Sequence, residues 1–245
     1  MSVRQRIDQQ PGFVLHSYPY RETSLIVEVF SRDHGRIGLV AKGARRPMSQ
    51  LRGVLMAFQP LLIDWSGGGE MKTLVRAEWQ GGQPLLGGQA LLCAYYLNEL
   101  LLRLMPREDA HPTLYQAYGE ALRALAMGEP QEVVLRRFEL ALLRELGYGL
   151  ELESDSDGLP VRPEEHHAYI IERGAVPLDE HRLDDPMGVR GKTLIDMAHQ
   201  DFRDPETLVQ SKALMRRLIQ HYLGGQVLQS RRVFTELFAY PGDPS

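Results

Sequence analysis

Between positions 12 and 80 the apolar residues come in short runs separated by turn residues. The runs are 12–17, 24–30, 36–41, 54–65 and 71–79, each rich in Val, Leu, Ile or aromatic side chains, the pattern of β-strands. Arg32-Asp33-His34-Gly35 and Ser66-Gly67-Gly68-Gly69 read as hairpin turns. Five strands mostly joined by short connections predict a small closed or partly open barrel. An oligonucleotide-binding (OB) barrel meets that count, and so does an SH3-like one.

After Gly81-Gly82 the apolar spacing becomes helical. Leu91, Leu92, Tyr95, Tyr96, Leu97, Leu100, Leu101 and Leu104 form one broad face, and Pro106 follows it. A second helix is predicted over 112–127. A third starts with Pro130 as its first residue, carries Val134, Phe138, Ala141 and Leu142, and ends near Gly147. Residues 150–189 show no sustained period and many Asp, Glu, Pro and Gly. Two further helices are predicted near the C-terminus. Asp204-Pro205 opens the first as cap and N1 proline, and Gly224-Gly225 precedes the second at 226–238. Their one-sided apolar faces predict packing into one bundle. The class is therefore α+β: a barrel domain over 1–80, then a mainly helical domain over 81–245 with an irregular segment near 150–190.

Composition narrows the setting. At 43% hydrophobic content the 245 residues can build a real core. No apolar run reaches the roughly 18 residues that span a bilayer, and the first residues, MSVRQRIDQQPG, lack a signal-peptide core. Cys93 is the single cysteine, so no internal disulfide forms and a cytoplasmic location is expected. The net charge of −4 hides an asymmetry: residues 1–80 hold 11 basic and 7 acidic side chains, the remainder 17 and 25. A basic front and an acidic back suggest two units with different partners.

The basic charge concentrates in one place. The segment 40–54, VAKGARRPMSQLRGV, carries Lys42, Arg45, Arg46 and Arg52 with no acidic residue between them, and Gly43, Pro47 and Gly53 mark it as loop. A cationic loop beside a small β-domain suits a polyanion. Taken alone, it fits an ordinary solvated surface better. Tyr18 and Tyr20 share a strand face and could stack on bases, although core packing is the commoner role; Pro19 between them marks a strand end or an edge. Trp65 and Trp79 end their strands and suit core or rim equally. In the third helix Arg136 and Arg137 stand beside Phe138, about 100° apart, so both are not buried. From the residues alone the arginines pair with Glu132, Glu139 or Glu145.

Catalytic motifs are scarce. There is no phosphate-loop, dinucleotide, HExxH or GxSxG pattern. Cys93 sits among Leu91, Leu92 and Ala94, where a thiol acts as a small hydrophobe. Glu164, Glu165, His166 and His167, with Asp155 and Asp157 upstream, read as an acidic loop rather than a metal site, since no cysteine pair accompanies them. No catalytic residue, metal or cofactor is assigned.

A barrel of about 80 residues, the loop AKGARRPMSQLRG (41–53), the helix RRFELALLRELGYGLEL (136–152) and a helical tail together resemble the RecO family of bacterial DNA repair and recombination mediators. The resemblance runs over essentially the whole chain, in order, and rests on two separate motifs. It implies an N-terminal OB domain and a C-terminal helical domain, and a non-enzymatic protein. Such a protein binds single- and double-stranded DNA and anneals complementary strands. It also holds the acidic C-terminal tail of single-stranded DNA-binding protein and acts with RecR to load RecA. The resemblance assigns Lys42, Arg45, Arg46 and Arg52 to DNA contact, and places Arg136, Arg137 and Phe138 near the tail pocket. Many relatives carry a four-cysteine zinc site after the LGY helix end. Here residues 151–174 contain no cysteine, so the chain resembles a zinc-free branch.

The expectation is thus a nucleoid-associated cytoplasmic mediator that helps load recombinase on single-stranded DNA. One rival is a protein-interaction adaptor whose barrel does not bind DNA, and oligonucleotide titration separates the two. The other is a metal-dependent nuclease using Asp155, Asp157, His166 and His167, which the lack of metal-ligand spacing disfavours.

Overall fold

The computed structural model describes residues 6–178 and 188–238. In chain order the elements are β1 (Arg6–Tyr20), β2 (Ser24–Ser31), β3 (Gly35–Ala41), α1 (Leu51–Val54), β4 (Pro60–Ser66), β5 (Met71–Trp79), α2 (Gly88–Leu104), α3 (Pro112–Ala126), α4 (Gln131–Glu145), β6 (His166–Ile170), β7 (Gly174–Pro177), β8 (Gly188–Arg190), α5 (Gly191–Ala198), α6 (Pro205–Tyr222) and α7 (Gln229–Phe238). No helix among the described residues is long and apolar enough to cross a membrane. The chain forms two compact units, one running up to Gly128 and resuming at Leu228, the other Glu129–Val227.

The first unit is built on a closed barrel of order β1-β2-β3-β5-β4. Closure depends on β1, whose two halves pair with different neighbours. Residues 12–20 pair with β2, and residues 6–13 pair with β4. Irregularities between Ile7 and Gln10 and between Val14 and His16 bend the strand between these partners. At the first, Gln9 adopts φ 53° and its N–H donates to Asp64 Oδ1 at 2.6 Å. Val14, Val27, Val29, Ile37, Leu39, Ile63 and Trp65 fill the interior. The run expected as one strand over 54–65 starts as the short helix α1, and Phe58 takes a left-handed φ of 67°. That conformation breaks extended backbone, so β4 begins only at Pro60, while the Phe58 ring packs edge-on against Tyr95.

Helices α2 and α3 lie against this barrel. Phe13 and Phe30 contact the rings of Tyr115 and Tyr118 at centroid distances of 5.1–6.1 Å. Asn98, buried in α2, donates to the Leu15 carbonyl at 2.8 Å and accepts from the Tyr118 hydroxyl at 2.5 Å. Helix α7 joins the same unit, its first N–H groups capped by Glu99: Gln229 and Ser230 each donate at 2.8 Å. Burial pushes the Glu99 carboxyl up, but the Ser230 and Gln229 hydrogen bonds and Arg103 outweigh it and hold it below its ordinary value. The helices therefore divide between the units, α2, α3 and α7 with the barrel and α4, α5 and α6 in the other. The apolar face of α2 is covered in part by β1 rather than by helices alone.

The second unit packs α4, α5 and α6 with a three-stranded sheet of order β7-β6-β8 around Leu143, Tyr169, Leu194, Phe202, Met215 and Leu218. This sheet and α5 lie in and just after the segment read as irregular, of which residues 179–187 fall outside the described residues. Asp204 caps α6 by accepting from Glu206 N at 2.9 Å, with Pro205 following. Pro130 sits one place before its expected position, as the N-cap of α4.

His167 in β6 is completely buried. Neither ring nitrogen has a hydrogen-bond partner among the described residues, and Glu165 Oε2 stands 4.0 Å away. Burial pushes its pKa below the ordinary value of 6.5, against the pull of Glu165 and Asp155 and with a small push from His166. The unfolded chain therefore takes up a proton near pH 6.5 that the folded chain still refuses. Stability of the second unit is full above that pH and falls as pH drops through it toward the lower folded value. Protection factors of β6 amides, corrected for intrinsic exchange, are expected to fall between pH 7.5 and 5.5, and less so in a His167→Leu variant. Equal losses in both would place the titration elsewhere.

Candidate nucleic-acid interface

The basic loop leaves the barrel where β3 ends. Ala44 is buried and anchors it, while Lys42, Arg45, Arg46 and Arg52 are all exposed. Successive turns shape the backbone: Arg46 N donates to Gly43 O at 3.0 Å, Ser49 N to Arg46 O at 3.0 Å and Arg52 N to Ser49 O at 3.2 Å. Gly43 has φ +70°, a conformation that favours glycine. The loop is also tied to the β1–β2 turn. Arg45 N donates to Thr23 O at 2.9 Å, and Arg45 Nη1 donates to Arg21 O at 3.3 Å.

That tie adds a fifth cation. Arg21 is exposed, and its guanidinium lies 5.1 Å over the Tyr20 ring. Arg21 is a single cation followed by Glu22 in its turn, so nothing in the sequence pattern singles it out; only strand pairing brings it beside Arg45. Among the described residues, no carboxylate lies within 4.0 Å of any of these five cations. Other arginines of the barrel are matched: Arg32 with Asp33, Arg36 with Glu28, Arg76 with Glu78. Among the described residues of the barrel, this loop and Arg21 thus hold the cations that no carboxylate meets.

An aromatic strip leads to it along β1. His16 and Tyr18, two apart and on one face, touch edge to face at 4.4 Å, and Tyr18 is 46% exposed. Beyond Val14 this strand pairs only with β2, so the stretch with Pro19 is a sheet edge. Trp65 is core. Trp79 is on the rim, its Nε1 donating to Gln59 Oε1 at 3.0 Å.

In the second unit α4 separates Arg136 from Arg137. Phe138 is buried, and Arg136 is buried beside it with Nη2 2.5 Å from Glu139 Oε1. Arg137 is exposed, and among the described residues its hydrogen bond is a long one, to Gln200 O at 3.5 Å. Of the three residues assigned to the tail pocket, Arg137 is the one that presents its side chain at the surface. In the acidic segment Asp155 Oδ1 accepts from Asp157 N and Leu159 N, closing a turn. No three His, Cys, Asp or Glu side chains gather as a metal site among the described residues.

Comparison with known proteins agrees with this architecture. Residues 5–82 match the model of the recombination protein O N-terminal domain, and residues 87–232 match that of its C-terminal domain. This chain belongs to the RecO family. It is 68% identical over 241 residues to the DNA repair protein RecO of Aromatoleum aromaticum, covering 97% of this chain and 99% of that one. RecO of an Azoarcus species is 66% identical and RecO of Dechloromonas aromatica 56%, with the same coverage. The RecO N-terminal model ends at residue 82, at the Gly-Gly that follows the barrel.

Proposed function

We propose that this protein holds DNA as a polyanion on Lys42, Arg45, Arg46 and Arg52, joined by Arg21, and anneals complementary strands without making or breaking covalent bonds. As a member of the RecO family it is a DNA repair and recombination mediator. One observation carries the DNA-binding reading: five exposed cations, none ion-paired with a carboxylate among the described residues, on two loops that hydrogen bonds lock together and that hold a single acidic residue, Glu22. Each cation that meets a phosphate releases counterions. Such contacts carry no sequence information, so specificity is left to base pairing between two strands held at high local concentration. Tyr18 supplies a stacking surface beside the loop.

The partners that suit this reading are single- and double-stranded DNA, RecR, the acidic tail of single-stranded DNA-binding protein and, through them, RecA, at the nucleoid. Arg137 is the tail's charge contact. Arg137→Ala is expected to weaken binding of an acidic, Phe-ended peptide about tenfold, the loss of one charge-assisted hydrogen bond, with DNA affinity unchanged. Arg136→Ala instead lowers the stability of the second unit, because it removes a buried ion-pair partner of Glu139. Peptide affinity equal to wild type in Arg137→Ala would remove this residue from the tail site.

The function itself is tested by fluorescence anisotropy of a labelled oligonucleotide across a salt series, followed by annealing of two complementary strands. Tight binding at low salt with a steep salt slope, and faster annealing, are expected. No binding at low salt would overturn the DNA reading and favour an adaptor.

A further inference from the structure

The basic loop carries one side chain that phosphate binding does not use. Ser49 N donates to Arg46 O across a four-residue turn, which puts Pro47 and Met48 at its two corners. Proline is favoured at the first corner because its φ is preset, so the turn is stiff. Met48, at the second corner, is 95% exposed. Single exposed apolar residues are ordinary on protein surfaces. This one differs in its neighbours: Arg45, Arg46 and Arg52 surround it in sequence, all exposed and, among the described residues, none paired with a carboxylate. Leu85, Met127 and Val227 are also well exposed, but none sits in a run of free cations.

We propose that Met48 enters between neighbouring bases of a bound strand while the arginines on either side hold its phosphates. The inference rests on the DNA reading above and adds a base contact to it. Apolar wedges of Met, Leu, Ile, Phe or Pro part stacked base steps of duplex DNA from the minor groove, where the cost of unstacking is offset by the extra protein surface the bent DNA covers; on a single strand the cost is smaller and the wedge's own burial opposes it. Methionine suits the role: unbranched and polarizable, it adapts to whichever bases it meets. The cations draw the backbone to the loop, and the turn holds the wedge at the height of the bases. The wedge is also neutral, which separates it from the arginines by experiment. Removing a cation from a phosphate changes the slope of log K against log salt, whereas removing an apolar side chain from the bases lowers K by the same factor at every salt concentration.

The test uses the full chain and single-stranded oligonucleotides carrying 2-aminopurine, whose emission rises when it is unstacked. Wild type is expected to raise the emission on binding. Met48→Ser is expected to bind about tenfold more weakly, the loss of roughly one buried side chain, with the salt slope kept and the emission rise abolished. Met48→Leu should restore both. Binding by wild type and Met48→Ser with equal emission would overturn the wedge and leave the DNA reading standing. Failure of wild type to bind at low salt would overturn the DNA reading and the wedge with it.

Discussion

Replacing Arg45 and Arg46 together with alanine is expected to flatten the slope of log K against log salt by about 0.7–0.9 for each phosphate left without its cation. At 50 mM salt the same change weakens binding on the order of tenfold per phosphate. The effect is electrostatic and not structural. Both guanidinium groups are exposed, and the backbone bond from Arg45 N to Thr23 O survives the change. Among the described residues, the one side-chain hydrogen bond removed is that from Arg45 Nη1 to the Arg21 carbonyl, 3.3 Å long. Arg76→Ala is the control. It lies in the same barrel and is exposed, but it pairs with Glu78, so its charge is already met and the slope should hold. A slope unchanged in the Arg45/Arg46 variant would take the loop out of the DNA site. A slope that also flattens in Arg76→Ala would make the effect one of net charge rather than of this loop.

The contrast between these arginines shows where sequence reading reaches and where it stops. Lys42, Arg45, Arg46 and Arg52 were legible because they are contiguous in a Gly- and Pro-marked loop. Their lack of ion pairs was not legible, since which cation a carboxylate meets depends on the fold: Glu28 reaches Arg36 across the β2–β3 pairing, while Asp33 and Glu78 serve their sequence neighbours Arg32 and Arg76. The strands themselves were legible from short apolar runs separated by turn residues, Gly35 and Gly67 to Gly69 among them. Barrel closure was not, because it depends on irregularities in β1 at positions without glycine, Gln9 among them. The longer helices announced themselves through apolar faces and through Pro112, Pro130 and the Asp204-Pro205 cap. Helix α5, with eight residues, and the strands of the small sheet, with three to five, are too short for a period to emerge. Arg136 and Arg137 differ by one step around α4, and the choice of which turns inward depends on Glu139, one turn further along.

Glu28→Gln is expected to lower the stability of the barrel unit by about 3 kcal/mol, the low end of the cost of breaking a buried ion pair. Glu28 is buried on β2 and meets two cations, Arg107 Nη2 at 2.5 Å and Arg36 Nη1 at 3.4 Å. Arg36 also donates through Nε and Nη2 to the Met105 carbonyl, at 3.2 and 3.0 Å. Lys72 reaches Glu108 at 2.6 Å, and Glu108 N donates to Arg36 O at 3.0 Å. Together these bonds pin the segment after α2 onto the barrel. Gly35 lies so close beneath it that a Cβ there would stand 1.9 Å from the Asp109 carbonyl oxygen. Burial and the nearby Arg107 push the Arg36 guanidinium down from its ordinary pKa, and Glu28 opposes both. Glutamine keeps the shape and removes the charge, so two crowded cations are left without their common counter-ion. The low end applies because Arg107 is a third exposed and water screens part of the effect. Trp65 and Trp79 are the chain's two tryptophans, and both belong to the barrel. Their fluorescence therefore reports this unit alone. Its thermal midpoint should fall by about 6–12 °C, while the second unit, followed by amide exchange, holds. Adding Arg107→Met to Glu28→Gln should recover part of the stability by removing one stranded charge. A midpoint equal to wild type in Glu28→Gln would mean that the Met105 carbonyl, and not Glu28, holds Arg36 in place.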